Sequence, residues 1–272
     1  MEALSGPLRR WASSRLAEAF IAATRVYVEL EEGYCGVALT PRWLPLRPLE
    51  PADLAPWKST PRSLARLPQR RRTGLAAAAA VAAVNAATAA WMLETAGEPH
   101  ASGIEILVGA ASLAERLGIG PGDRVMMLGY MPGLAADISR RAAELVAADY
   151  EGELLAEARR RGHKALDARS REEVVKAIGR ATAVVFSGSA VLDPPTFLAE
   201  VEAARRSGAR LVALVGATSS FHPLVALRLG VDAVAGTLVE PSLCPRVRST
   251  VAAGGGVHRV RGRLLHWLWR RS

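Results

Sequence analysis

At 272 residues, half of them hydrophobic, the chain is long enough to bury a substantial core and to divide into two domains, which excludes disorder as its main state. Its formal charge of +9 is unevenly spread: residues 1–75 hold 12 Lys/Arg against 7 Asp/Glu, residues 76–240 hold 16 against 19, and residues 241–272 hold 7 against none. The middle of the chain is therefore mildly acidic, a nucleic-acid-binding face is not expected, and the basic end HRVRGRLLHWLWRR reads as a solvated charge run.

The first residues, MEALSGPLRRWASSRL, show no apolar run followed by a small-residue cleavage site, so a cytoplasmic location is expected. A helix is predicted around Ser13 to Ala23. Thr24–Glu31 and Tyr34–Thr40 then alternate apolar and polar positions about Glu32-Gly33, the pattern of a β-hairpin. Residues 41–72 hold seven prolines, at 41, 45, 48, 51, 56, 61 and 68, and end in three arginines; this is a loop-rich connection with a short helix near Ser63 to Leu67.

Gly74 to Leu93, GLAAAAAVAAVNAATAAWML, is uncharged and close to the length of a membrane span. Alanine contributes little apolar surface and is the best helix former, so the segment reads as a buried helix capped by Thr73 and ending before Gly97, with no membrane span. Asn85 interrupts it. Asparagine is unfavourable inside a helix, and Asn85 and Gln69 are the chain's single asparagine and glutamine. A retained amide implies a specific bond, across a domain interface or to a ligand. Scarce amides and abundant arginine fit a thermophile or a GC-rich genome.

From Ile104 a helix, EILVGAASLAERLG, leads into apolar runs separated by amphipathic helices. Strands are predicted at Arg124–Leu128, Glu144–Ala148, Ala183–Ser187, Arg210–Val215 and Ala233–Leu238, with a helix over Pro195–Ser207. Continuous apolar strands alternating with helices indicate a Rossmann-like parallel sheet covered on both faces. Residues 1–97 would form a smaller α+β domain and residues 98–272 the Rossmann-like domain. Cys35 and Cys244 lie far apart without CxxC spacing, so neither a disulfide framework nor a zinc site is expected, a reducing interior is assumed, and Cys35 reads as a small core residue.

Ligands of open parallel sheets bind outside the carboxyl ends of the strands. Four such ends carry candidate residues here. Gly129, Tyr130 and Pro132 follow the first strand in a loop that is not GxGxxG. Asp149 and Glu151 follow the second, Asp149 at the distance of a ribose-binding acid. Ser187, Gly188 and Ser189 follow the third; Gly216, Thr218 and Ser219 follow the fourth, with His222 opening the next helix as a candidate for acid–base work or metal ligation. Asn85 and Gly36, on the Tyr34–Gly36 strand, would approach from the smaller domain. His222 with Asp149 or Glu151 are the candidate proton-transfer groups.

The stretches DRVMMLGYMPGL (123–134), TAVVFSGSAVLDPPTFLAEV (182–201) and RLVALVGATSSFHPLVALRLGVDAVAG (210–236), with GYCGVALT and the GLAAA…VNA helix, make the chain resemble the family called "putative heavy-metal chelation" over most of its length. The resemblance implies an enolase N-terminal-like α+β domain joined to a Rossmann-like domain, a cleft between them, and a divalent or heavy metal ion as cofactor. Relatives tend to carry Asn-x-Thr after the Ser-Gly-Ser strand end; this chain has Asp193-Pro194-Pro195-Thr196, which removes an amide and offers a carboxylate suited to a metal.

Three functions are consistent with these residues: a small anionic or metal-complexed ligand held between the domains, an S-adenosylmethionine- or nucleotide-dependent transferase, and a non-catalytic metal-carrier module. The acid expected before a methyltransferase's glycine-rich loop is missing at Met126-Met127-Leu128. Trp267 and Trp269 would cover a homo-oligomer partner or fold back on the sheet.

Overall fold

The computed structural model describes residues 8–44, 49, 59–68, 73–95, 103–107, 112–260 and 264–271. Prolines 45, 48, 51 and 56, the Gln69–Arg72 stretch, Gly97, His100, residues 108–111 of the helix expected from Ile104 and residues 261–263 of the basic end lie outside them.

A small antiparallel sheet comes first, in the order β1 (Leu16–Ile21), β2 (Arg25–Leu30), β3 (Cys35–Leu39). The hairpin is as expected, but the helix predicted over Ser13–Ala23 is not. Trp11–Ser13 makes one 3-10 turn, and Leu16–Ile21 pairs with β2, Leu16 opposite Leu30 and Phe20 opposite Tyr27. The alanines of LAEAFIA favour helix locally; pairing along the open side of β2 and stacking of Phe20 on Tyr27 (5.3 Å between ring centres) outweigh that weak preference. α1 (Pro61–Ala65), capped by Thr60, occupies the expected short-helix position.

α2 (Gly74–Glu94) is capped by Thr73 as predicted, and 18 of its 21 residues are buried, so it is a core helix with apolar surface all round. It is the one helix, among the described residues, long and apolar enough to cross a membrane, and it is packed inside the protein. Small side chains let β3 lie directly on it. A Cβ on Gly36 would stand 2.2 Å from the Ala82 carbonyl oxygen and 2.3 Å from the Ala86 nitrogen.

β4 (Ile104–Leu107) and α3 (Leu113–Arg116) replace the single helix expected from Ile104. The alternating IEIL stretch pairs with a strand missed from the sequence, β11 (Leu265–Arg270), Ile106 opposite Trp267. Then follow β5 (Arg124–Leu128), α4 (Pro132–Ser139), β6 (Glu144–Asp149), α5 (Gly152–Arg160), β7 (Lys164–Asp167), α6 (Arg171–Ile178), β8 (Ala183–Ser187), α7 (Pro194–Arg206), β9 (Leu211–Val215), α8 (Pro223–Arg228), β10 (Ala233–Leu238) and α9 (Cys244–Ala252). All five predicted strands are present. β7 was also missed, because KALD is too short and polar to signal itself.

The large sheet runs β4-β11-β10-β9-β8-β5-β6-β7, parallel from β10 to β7, with β11 antiparallel to β10 and β4 antiparallel to β11. The fold is α/β: a Rossmann-like sheet domain beside a smaller α+β part. Trp267 and Trp269 thus fold back on the sheet as part of β11. Alternate strand residues enter two apolar clusters: Met126, Phe186 and Leu214 face α2, α6 and α7, whereas Met127, Val185 and Ala213 face α3 and α4. From β5 the chain moves outward to β6 and β7, then returns to β8 on the other side of β5. The strand order therefore switches between β5 and β8.

Cys35 and Cys244 form a disulfide across 209 positions, with Cα atoms 5.9 Å apart. This overturns the expectation of two unrelated thiols. The bond ties β3 to the start of α9 within a third apolar cluster containing Tyr27, Val37, Val239, Val247 and Val251. The small sheet is consequently held between α2 on one face and α9 on the other.

Candidate ligand cleft at the strand switch point

A small, half-open cleft lies where the strand order switches. Leu128 and Gly129 end β5, Ala148, Asp149 and Tyr150 end β6, Ala168 follows β7, and Ser187, Ser189, Ala190 and Asp193 follow β8; Thr196 and Glu200 of α7 and Trp43 of the proline-rich segment complete it. Loops that leave neighbouring strands in opposite directions open such a crevice in this fold class.

Trp43 stacks on Tyr150 with rings 3° from parallel and centres 5.9 Å apart, and the Arg169 guanidinium lies 5.7 Å from the Tyr150 ring centre. Glu200 is 6% exposed and accepts a bond from Arg171 Nη1 at 2.7 Å. Burial pushes its carboxyl up to about 7 against the pull of Arg171, and neighbouring Asp193 adds to the rise. Burial, with Glu200 beside it, also raises the Tyr150 hydroxyl. Tyr150, Arg171, Asp193 and Glu200 are thus electrostatically linked, and three of the four line the cleft.

The predicted residues divide between this cleft and a second, sealed cluster. Gly129, Asp149, Ser187 and Ser189 line the cleft. Gly129 has φ +85°, and a Cβ there would stand 2.0 Å from Ser187 Oγ, so glycine is required by the serine that leans on it. Ser187 and Ser189 share a hydroxyl hydrogen bond of 2.7 Å. Asp149 is buried, and its oxygens accept the Tyr130 and Glu151 amides at 2.7 and 2.9 Å, which holds the two loops together. Burial raises this carboxyl against those bonds. Glu151 is exposed and starts α5, Pro132 opens α4, and the buried Tyr130 ring packs with the apolar cluster on the other face of the sheet.

His222, Asn85, Gly36, Gly188, Gly216, Thr218 and Ser219 make the second cluster, where the loop after β9 docks on α2 and β3. Asn85 Nδ2 donates to the carbonyls of Val37 (2.8 Å), Thr218 (3.0 Å) and Ala217 (3.3 Å), and Thr218 Oγ1 accepts the Leu39 amide at 3.1 Å. Ser219 Oγ donates to Gly216 O, while a Cβ on Gly188 would meet the Ser219 nitrogen at 2.7 Å. His222 Nδ1 accepts the Leu224 amide, its own amide donates to Thr88 Oγ1, and its ring centre lies 4.1 Å from that of Trp91. Burial lowers it to about 4, so it is neutral and caps α8. The loops do share one rim facing the first part of the chain, but here the contact is filled.

Trp43, Tyr150, Arg171 and Glu200 were not singled out from the sequence. Glu200 left a readable signal: with Phe197, Val201 and Ala204 it forms an i, i+3, i+4, i+7 set, so a carboxylate stands on the buried stripe of α7. Trp43 left none.

The profile of the family described as "Putative heavy-metal chelation" (DUF364) matches residues 112–270, more than half of the chain. The chain belongs to this family. A DUF364 protein of unknown function from Pyrococcus horikoshii shares the fold with a TM-score of 0.72, 14% identity, and coverage of 98% of this chain and 99% of that one. Another from Desulfitobacterium hafniense gives 0.70 at 15% identity, covering 97% and 96%. No curated protein matches the chain.

The family's description raises the question of a metal. Among the described residues no three His, Cys, Asp or Glu side chains are grouped to hold one. Both cysteines are consumed by the disulfide, and the cleft offers only oxygen donors. Soft metals favour thiolate and imidazole, so these residues do not fit a bare heavy-metal ion held by protein groups alone.

Proposed function

We propose that the protein binds a small, positively charged ligand, an organic cation or a metal complex that brings its own donors, in the switch-point cleft covered by Trp43. The observation that carries this reading is the pairing of a mostly apolar cleft with the carboxyl groups of Asp149, Asp193 and Glu200 and no lysine, arginine or histidine among the described residues of its lining, the nearby Arg169 and Arg171 being paired with Asp167 and Glu200. Those carboxylates favour the metal-complexed alternative over the anionic one. A nucleotide- or S-adenosylmethionine-dependent transferase is less supported, because the Tyr130 and Glu151 amides are committed to Asp149 and Pro132 opens α4 without an N–H. A carrier without turnover would use the same cleft. If a proton is exchanged with the ligand, Glu200 replaces His222 and Asp149 as the group placed for it.

Titration calorimetry with hexaamminecobalt(III), a substitution-inert cation, and with zinc alone tests the reading. Saturable binding of a cation, the complex or an organic cation such as benzamidine, lost in Asp193→Asn and Glu200→Gln, with zinc alone not binding, is expected; cation binding that survives both substitutions sinks it.

We place the protein in the cytoplasm of an organism that lives hot, and this domain division at residues 97 and 98. Scarce amides support the first, and a disulfide is compatible with it because intracellular proteins of hyperthermophiles carry them.

A further inference from the structure

The cleft carries more information about its ligand than charge alone. Its walls are Trp43, Leu128, Ala148, Tyr150, Ala168 and Ala190, and among the described residues of its lining the polar side-chain groups other than the Trp43 indole N–H are oxygens. Positive charge has two ways to be held here. A metal complex would need open carboxylates around it, yet Asp149 is occupied by backbone amides and Glu200 is bonded to Arg171. An organic cation needs less: one aromatic face, one or two counter-charges, and hydroxyl or carboxyl acceptors for its N–H groups. Trp43, stacked on Tyr150, supplies the first, Asp193 the second, with Glu200 adding only the charge that Arg171 leaves uncompensated, and Ser187, Ser189 and Thr196 the third.

Phosphate-bearing ligands face the opposite situation. Pro194 and Pro195 open α7 without N–H groups, Asp193 stands at its cap, and the amide after Gly129 is already used by Asp149. The start of that helix therefore presents a carboxylate where an anion would need donors.

We propose that the cleft takes a small organic cation whose charge lies on a flat, amidine-like nitrogen group, held beside the Trp43 ring that Tyr150 braces and countered by Asp193, with Glu200 as the second, partly compensated carboxyl. This rests on the cleft being a ligand site, as argued above. A planar cation of this kind donates several N–H bonds in one plane, which two carboxyls and the serine hydroxyls accept. Ionised Glu200 attracts it, so affinity falls as pH drops below about 7, where the buried carboxyl takes up its proton.

The test uses calorimetry at pH 8 with benzamidine, its neutral counterpart benzamide, its anionic counterpart benzoate, and adenosine monophosphate. Each is titrated into the wild-type chain and into Asp193→Asn, Glu200→Gln and Trp43→Ala, all checked for wild-type circular dichroism. Benzamidine should bind at least tenfold more tightly than benzamide, lose at least fivefold in each variant, and weaken between pH 8 and pH 6. Benzamide or benzoate binding as tightly, or adenosine monophosphate binding in preference with Trp43→Ala weakening it, would overturn the cationic class while leaving the cleft a ligand site. No probe binding, with hexaamminecobalt(III) also silent, removes the cleft reading itself.

Discussion

The side-chain amide of Asn85, inside a helix of alanines, donates to the main-chain carbonyl of Thr218, 133 positions away, at 3.0 Å. The same nitrogen serves Val37 and Ala217, so one side chain ties α2, β3 and the loop after β9 together. Its bonds run to backbone, and its place is the docked rim. Asn85→Ala should cost about 1–3 kcal/mol of unfolding free energy by leaving buried carbonyls unpaired, and Asn85→Asp more, since a carboxylate would face acceptors only. Urea unfolding measures this; an unchanged midpoint for Asn85→Asp would contradict it.

His222 predicts a pH dependence. Its folded value of about 4 lies below the ordinary 6.5, so the unfolded chain binds the proton more readily. Stability from this residue is present above pH 6.5 and is lost as pH falls through the window from 6.5 to about 4, by about 3 kcal/mol in all. His222→Gln should flatten that part of the stability profile. An unchanged slope between pH 6.5 and 4 in the variant would show that the imidazole is not held neutral.

The Cys35–Cys244 bond closes a loop of 209 residues, which in the chain-entropy account stabilises the fold by roughly 5 kcal/mol and by 2–5 kcal/mol in ordinary practice. Denatured, unreduced protein should show no thiol reactive with Ellman's reagent. Full reduction, or Cys35→Ala with Cys244→Ala, should lower the melting temperature while leaving the secondary structure at low temperature intact. Two titratable thiols in unreduced protein would disprove the pairing.

Glu200 should trade stability for its place in the cleft. Its raised value means that the folded state prefers the neutral acid, so its contribution is present below about 4.5 and declines as pH rises through about 7. Glu200→Gln should therefore match or exceed wild-type stability at pH 8, even with the Arg171 pair lost, because Arg171 is partly exposed and stays hydrated. Differential scanning calorimetry at pH 5 and pH 8 decides; a large destabilisation at pH 8 alone would show the ion pair to be the stronger effect.

Gly36→Ala should be among the most damaging single changes. The added carbon would sit 2.2 Å from a backbone oxygen of α2, so either the strand or the helix must move. A loss of about 3 kcal/mol or more is expected from such overpacking against backbone. Normal expression and melting would mean that β3 and α2 are not so closely apposed.

Sequence alone determined the elements whose signal is local. Five apolar runs of the large sheet, the hairpin, the alanine helix with its Thr73 cap and the tendency of sites to follow parallel strands all come from periodicity, capping and burial. Tertiary structure decided what depends on distant partners. Leu16–Ile21 became a strand because β2 offered an open edge, Ile104–Leu107 because β11 lay beside it, and two cysteines 209 positions apart became one bond. The same holds at the site. His222, Asn85 and Thr218 have the chemistry of ligand groups, yet the Asn85 amide nitrogen, the Thr218 hydroxyl and the His222 main-chain amide join the small sheet and its helix to the large one, while the His222 ring caps α8. Glu200, Tyr150 and Trp43 come together because strand order reverses between β5 and β8, a relation set by which strands pair across the whole sheet.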